Sequence, residues 1–237
     1  MKIKIFATLG PASLNKETIL SLAYEGIDLF RLNMSHTTAT ELRNYIGLIR
    51  SVTEVPICID SEGSKMRTRE EHGRFTERDI EACRIGQELN INNYALSFTE
   101  SKEDIRAYRN MICSSDNLIA KIETEKAIEN LPSILRVVDS ILIDRGDLSL
   151  SVDLIRIPSK QQQIIEQAKE NNVSVYVATN FLGSMLENKV PSIAEVMDVA
   201  YTLAMGADGL VLAEETAIGQ HPVGTVKFIK KIIDKYG

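Results

Sequence analysis

The sequence predicts a single-domain α/β protein folded as an eight-stranded (β/α)8 TIM barrel. Eight short, β-branched runs alternate with eight longer segments of helical period over 237 residues, and such alternation builds a parallel sheet. Most of the runs are near-continuously apolar, as in strands covered on both faces. Eight βα units in a chain of this length make a lean barrel, whose closure leaves no edge strands, unlike the rival doubly wound open sheet.

The elements follow in order. Ile3–Thr8 is the first strand, stopped by Gly10-Pro11, and Asn15 opens a helix to Tyr24. Leu29–Asn33 precedes a helix over Thr38–Ser51, and Val55–Ile59 is the third strand. Arg67–Phe75 is the most charged loop, after which Thr76, with Asp79 three residues on, starts the third helix. Asn93–Phe98 is followed by the capping run Ser101-Lys102-Glu103-Asp104, and Leu118–Glu123 by Thr124–Val138, which Pro132 interrupts. Ser140–Asp144 leads into Gly146–Pro158, which reads as the longest loop, and then a helix to Asn171. Val173–Ala178, a helix capped by Ser192 and Glu195, Gly209–Ala213 and the helix Pro222–Tyr236 complete the eight units. No Pro-, Gly- or Ser-rich linker divides residues 1–237, so one domain is expected.

Composition narrows the function. A hydrophobic share of 44% with 25% charged residues is that of a soluble globular protein. A net charge of −6 lacks the basic footprint of a nucleic-acid binder. No apolar run approaches the ~18 residues of a membrane helix, and the alternating start Met1–Phe6 does not read as a leader. Cys58, Cys83 and Cys113 are an odd set without metal spacing, expected as reduced thiols of a cytoplasmic protein.

In a barrel, chemistry sits at the carboxyl ends of the strands. Here those ends carry Thr8, Arg31 to His36, Asp60-Ser61-Glu62, Ser97, Lys121-Ile122-Glu123, Asp144 to Asp147, Thr179-Asn180 and Glu214 to Thr216. Lys121 and Glu123 lie two apart on a strand and share a face, as do Arg31 and Asn33. Charges inside strands are costly unless paired or bound to something charged. A structural ion network explains any one of them; polar groups at all eight ends favour a site. Glu123 and Asp147 are oxygen donors suited to Mg²⁺ or Mn²⁺. Arg31 and Arg67 suit a phosphate or carboxylate, Lys121 a developing anion, and the backbone at Gly146 and Asp147 a carboxylate. Together they point to a small, doubly anionic substrate such as a phosphorylated acid.

These blocks resemble the pyruvate kinase family. The resemblance runs through Ala7-Thr8-Leu9-Gly10-Pro11-Ala12-Ser13, Phe30–His36, Asp60–Thr68, Ala120–Glu123, Asp144–Leu148, Ala178–Met185, Ala194–Ala200 and Glu215-Thr216-Ala217, in family order. It implies a barrel binding phosphoenolpyruvate or pyruvate, with ADP or ATP as phosphoryl partner, in a glycolytic phosphotransferase. It implies Glu123 and Asp147 as Mg²⁺ ligands, Lys121 as catalytic lysine, and Arg31 and Arg67 as phosphate-binding arginines. Thr179 matches the threonine beside the enolate carbon. Asn33, Ser35, Asp60 and Ser61 match the monovalent-cation ligands. Lys65 stands where potassium-independent members carry a lysine, so no K⁺ requirement is expected.

The departures matter equally. Family members insert a lid between the third strand and third helix, where Thr68 and Thr76 are joined here by only Arg69–Phe75. Members usually carry a C-terminal domain too, and none is expected in residues 1–237. Asp144 replaces a small residue, Ser64 a proline, Ile193 an arginine, and Glu214 alters the strand-eight block. The missing lid keeps two alternatives open: other enolpyruvate chemistry, such as a metal-dependent aldolase or transfer to an acceptor other than ADP, and a catalytically weak metabolite-binding paralogue. Homo-oligomers through the barrel helices are the expected assembly; no nucleic acid or membrane is expected as a partner.

Overall fold

The computed structural model describes residues 2–63 and 75–237. Eight parallel strands close a barrel in sequence order: β1 Lys4–Thr8, β2 Leu29–Asn33, β3 Ile57–Asp60, β4 Asn93–Leu96, β5 Asn117–Ile122, β6 Ser140–Asp144, β7 Ser174–Ala178 and β8 Gly209–Leu212. The α/β barrel expectation holds, with strand ends displaced by one or two residues. β3 starts at Ile57 because Pro56, which has no N–H to give the sheet, precedes it. β4 stops before Phe98, whose φ of +51° cannot continue a strand.

The outer layer is α1 Lys16–Tyr24, α2 Ala39–Arg50, α3 Glu77–Glu88, α4 Lys102–Arg109, α5 Glu125–Glu129, α6 Leu131–Ile134, α7 Arg145–Ser151, α8 Ile157–Glu170, α9 Ile193–Ala204, α10 Glu214–Ala217 and α11 Pro222–Tyr236. The caps act as the sequence predicts. Thr38, Thr76 and Ser192 form capping boxes with Glu41, Asp79 and Glu195, and Asn15 and Ser101 cap α1 and α4. The helix expected over Thr124–Val138 breaks at Asn130, ahead of Pro132, into α5 and α6. The expected loop Gly146–Pro158 is a correction: it holds α7 and a 3₁₀ turn over Leu154–Arg156. Leu148 and Val152 bury one side of that segment, which stabilises a helix where the Gly-Asp-Ser composition reads as a turn. Among the described residues no helix is long and apolar enough to cross a membrane.

Strand parity places the interior. Phe6, Leu29, Cys58, Ala95, Ile119, Leu142, Tyr176 and Val211, one from each strand, form an apolar layer inside the barrel. Phe6 and Tyr176 meet there with ring centroids 4.6 Å apart. Successive side chains alternate faces, so the next inward layer falls two residues on. It is Thr8, Arg31, Asp60, Ser97, Lys121, Asp144, Ala178 and Ala213. The alternate residues pack against the helices in the larger core, among them Ala7, Phe30, Leu32, Ile59, Ala120 and Ile143.

Candidate active site at the barrel mouth

Six adjacent strands thus send Thr8, Arg31, Asp60, Ser97, Lys121 and Asp144 to one level of the mouth, with Glu123 just above Lys121; all are buried. The Lys121 ammonium lies 2.8 Å from Glu123 Oε1, 3.4 Å from Asp144 Oδ2 and 3.6 Å from Asp60 Oδ2. It also donates to Ser97 Oγ at 3.2 Å. Arg31 donates from Nε to Asp60 Oδ2 at 2.6 Å and from Nη1 to Thr8 Oγ1 at 2.9 Å, and its other terminal nitrogen pairs with Asp60.

Burial disfavours every charge here, and the neighbours decide each outcome. Burial pushes the Lys121 ammonium down, but Asp60, Glu123 and Asp144 outweigh it and hold the proton more tightly than usual. Burial also opposes the Arg31 charge, and Asp60 and Asp144 reverse that. Glu123 is pushed up to about 7 by burial, against the pull of Lys121 and with a further push from Asp144. Asp144 goes the other way: burial raises it, yet Lys121, Arg31 and the Thr179 hydroxyl hold it below the usual carboxylate range.

Glu123, Asp144 and Asp147 each present an oxygen, and the three oxygens lie within 4.8 Å of one another. Glu123 Oε2 accepts the Phe98 backbone N–H at 2.5 Å. Its Oε1 is buried and pairs with the Lys121 ammonium at 2.8 Å. Three hard oxygen donors this close together fit Mg²⁺ or Mn²⁺. The expected pair Glu123 and Asp147 is therefore brought together, and Lys121 leans on the first of them.

Gly146 and Asp147 lie in the first turn of α7, where Asp144 is the N-cap residue. A Cβ at Gly146 would sit 3.0 Å from Thr179 Cγ2, so a side chain there would press on Thr179. Thr179 follows β7 with φ +80°, a left-handed backbone that a β-branched residue rarely adopts. Arg145 holds it, donating to Thr179 O at 3.1 Å from Nε and 2.6 Å from Nη2. Arg145 in turn pairs with Asp198 of α9 at 2.8 Å and lies 4.3 Å from the centroid of the Phe181 ring. So fixed, Thr179 donates its hydroxyl proton to Asp144 Oδ1 at 2.6 Å.

Three of the four residues matched to a monovalent cation have side-chain oxygens with partners within the chain. Asn33 Oδ1 accepts from the Ser35 N–H at 3.0 Å, Ser61 Oγ from the Ser97 N–H at 2.9 Å, and Asp60 is held by Arg31. Ser35 is exposed. Lys65 and Arg67 lie outside the described residues. Two groups escaped the sequence reading. Asp144, noted there at a strand end and as a departure from family pattern but given no role, is inside the site; the rule that paired Lys121 with Glu123 also puts it on the inward face with Leu142. The Arg145–Asp198 support of Thr179 has no local signal, being a contact between distant segments.

Comparison with known proteins identifies the family. A family model described as "Pyruvate kinase, barrel domain" matches residues 1–75 and 72–226. Pyruvate kinase of Thermotoga maritima is 39% identical over 161 residues, covering 67% of this chain and 34% of that protein. Pyruvate kinase of Thermoplasma acidophilum is 27% identical over 315 aligned positions, covering 99% of this chain and 58% of that protein. That of Mycobacterium tuberculosis is 37% identical over 162 residues, or 67% and 34% of the two chains. The aligned stretches thus span from a third to somewhat over half of these relatives. On the family match along nearly its whole length, the chain belongs to the pyruvate kinase family and corresponds to its barrel domain.

Proposed function

We propose that residues 1–237 form the barrel of a Mg²⁺-dependent phosphotransferase that binds phosphoenolpyruvate or pyruvate and stabilises its enolate. Transfer of the phosphoryl group between phosphoenolpyruvate and ADP or ATP is the leading reaction. The observation that carries it is the buried Lys121 ammonium facing Glu123, Asp144 and Asp60 beside a cluster of oxygen donors at the barrel mouth.

Glu123 and Asp147 would hold the divalent cation, which would supply a Lewis acid to the substrate. Lys121, kept charged by its carboxylate neighbours, faces the negative charge that grows as phosphate departs. Arg31, locked by Asp60 and Thr8, presents a fixed guanidinium to the phosphate, and Arg67 is assigned as its second cation. Backbone N–H groups at Gly146 and Asp147 orient the substrate carboxylate at the start of α7. Thr179, held in place by Arg145, stands beside the carbon that gains a proton. Lys65 takes the role of the monovalent cation near Asn33, Ser35, Asp60 and Ser61.

The link over 68–76 is proposed to replace the family's lid. Two findings support that: the family model matches in two segments, 1–75 and 72–226, that overlap at this link, and the alignment with the Thermoplasma acidophilum protein is longer than this chain. The short link also favours a second reading, in which the same enolate meets an electrophile or acceptor other than ADP. Self-association through the barrel helices is proposed on the exposed Ile193, Met197 and Tyr201 of α9. A cytoplasmic setting suits the free cysteines Cys58, Cys83 and Cys113.

A coupled assay supplying Mg²⁺, ADP and phosphoenolpyruvate tests the leading reaction. Pyruvate formation well above that of Lys121→Met is expected. No excess over that variant, with oxaloacetate or an aldehyde turned over instead, selects the second reading.

A further inference from the structure

We propose that Asp144 is a third carboxylate ligand of the divalent cation, so that this seat takes up the bare cation before any substrate arrives. The assignment rests on the cation seat proposed above and adds to it the one carboxylate that the family pattern does not supply.

Geometry comes first. Asp144 is buried, and one of its oxygens lies within 4.8 Å of the donor oxygens of both Glu123 and Asp147. A carboxylate has about four lone-pair positions. Thr179 takes one on Oδ1 at 2.6 Å, and Lys121 stands at ion-pair distance, 3.4 Å, from Oδ2. Coordination capacity remains on an oxygen that the strand fixes at the level of Lys121.

Charge makes the same demand. Among the described residues the mouth collects Asp60, Glu123, Asp144 and Asp147 against Arg31 and Lys121. Asp60 is held mainly by Arg31, so Lys121 is left to face the buried Glu123 and Asp144, with the half-buried Asp147 beside them. Buried carboxylates are tolerated only when compensated. Among the described residues a single dication would balance these charges. With an alanine at 144 the two remaining carboxylates would need the cation less, and a bound anionic substrate would supply the missing oxygens. Asp144 supplies them from the protein.

The test is Mn²⁺ binding to the full chain without substrate, followed by electron paramagnetic resonance, with inner-sphere waters counted by proton relaxation. The wild-type chain is expected to bind Mn²⁺, and Asp144→Ala to bind at least ~10-fold more weakly with about one more water on the ion. Asp144→Asn, which keeps a neutral oxygen, is expected to fall between, and it carries the test if a thermal melt shows Asp144→Ala unfolded. Asp60→Asn removes a nearby charge outside the seat and is expected to add no water. Unchanged affinity and hydration in Asp144→Ala, with Mn²⁺ lost in Glu123→Gln, would overturn the third ligand and leave the two-carboxylate seat standing. No Mn²⁺ binding by the wild-type chain would remove both.

Discussion

Two levels of the barrel interior, one pleat apart on the same strands, differ in almost every physical respect. The lower, from Phe6 to Val211, is apolar and packed ring against side chain. The upper carries Arg31, Asp60, Lys121 and Asp144, with Glu123 just above, all buried. The lower level removes apolar surface from water, which is what holds a barrel together. The upper level costs desolvation that its ion pairs only partly offset. A fold that needed only stability would repeat the lower level. The charges are therefore where we propose that the molecule binds its ligand, and they define the experiments that separate the two levels.

The largest effect is expected from Lys121→Met. It leaves three buried carboxylates without their shared cation and should cost about 3–5 kcal/mol in urea unfolding. Added Mg²⁺ should restore more stability to this variant than to the wild type, because a ligand bound only by the folded state stabilises it. Equal responses to Mg²⁺ would erase the distinction between the levels. Leu142→Ala, directly below Asp144, should cost about 2–5 kcal/mol through the cavity it opens, and Mg²⁺ should not single it out for rescue. Gly146→Ala should cost about 1–3 kcal/mol by overpacking, since its methyl would meet Thr179 Cγ2 at 3.0 Å. Thr179→Ser removes that methyl, so the double variant should recover much of the loss; additive losses would show that the contact is not the cause. Ser192→Ala, far from both levels at the start of α9, should lower stability by about 1 kcal/mol as the cap is lost, with turnover unchanged in the coupled assay.

The same pleat explains what was legible in advance. Eight β-branched runs and their caps are local signals, and each strand was found within a residue or two. Lys121 and Glu123 share a face by spacing alone, and Asp147 follows from the turn after β6. Asp144 obeys the same arithmetic, yet its meaning depends on Thr179 and Lys121, which reach it from β7 and β5. The Thr179 backbone is set by Arg145 and, through it, by Asp198. Such contacts join segments far apart in sequence, and no local pattern encodes them. Helix α7 was missed for the opposite reason, since its composition favours a turn and only tertiary burial of Leu148 decides for a helix.

Because parity along the strands, not the connecting segments, fixes the charged ring, the two can change independently over evolutionary time. An insertion or deletion between Asp60 and α3 leaves Asp60 facing inward. One extra residue within β5 would turn Lys121 outward toward the helices. Segments at the rim of this barrel can thus be gained or shed while its charged interior passes unchanged from one descendant to the next.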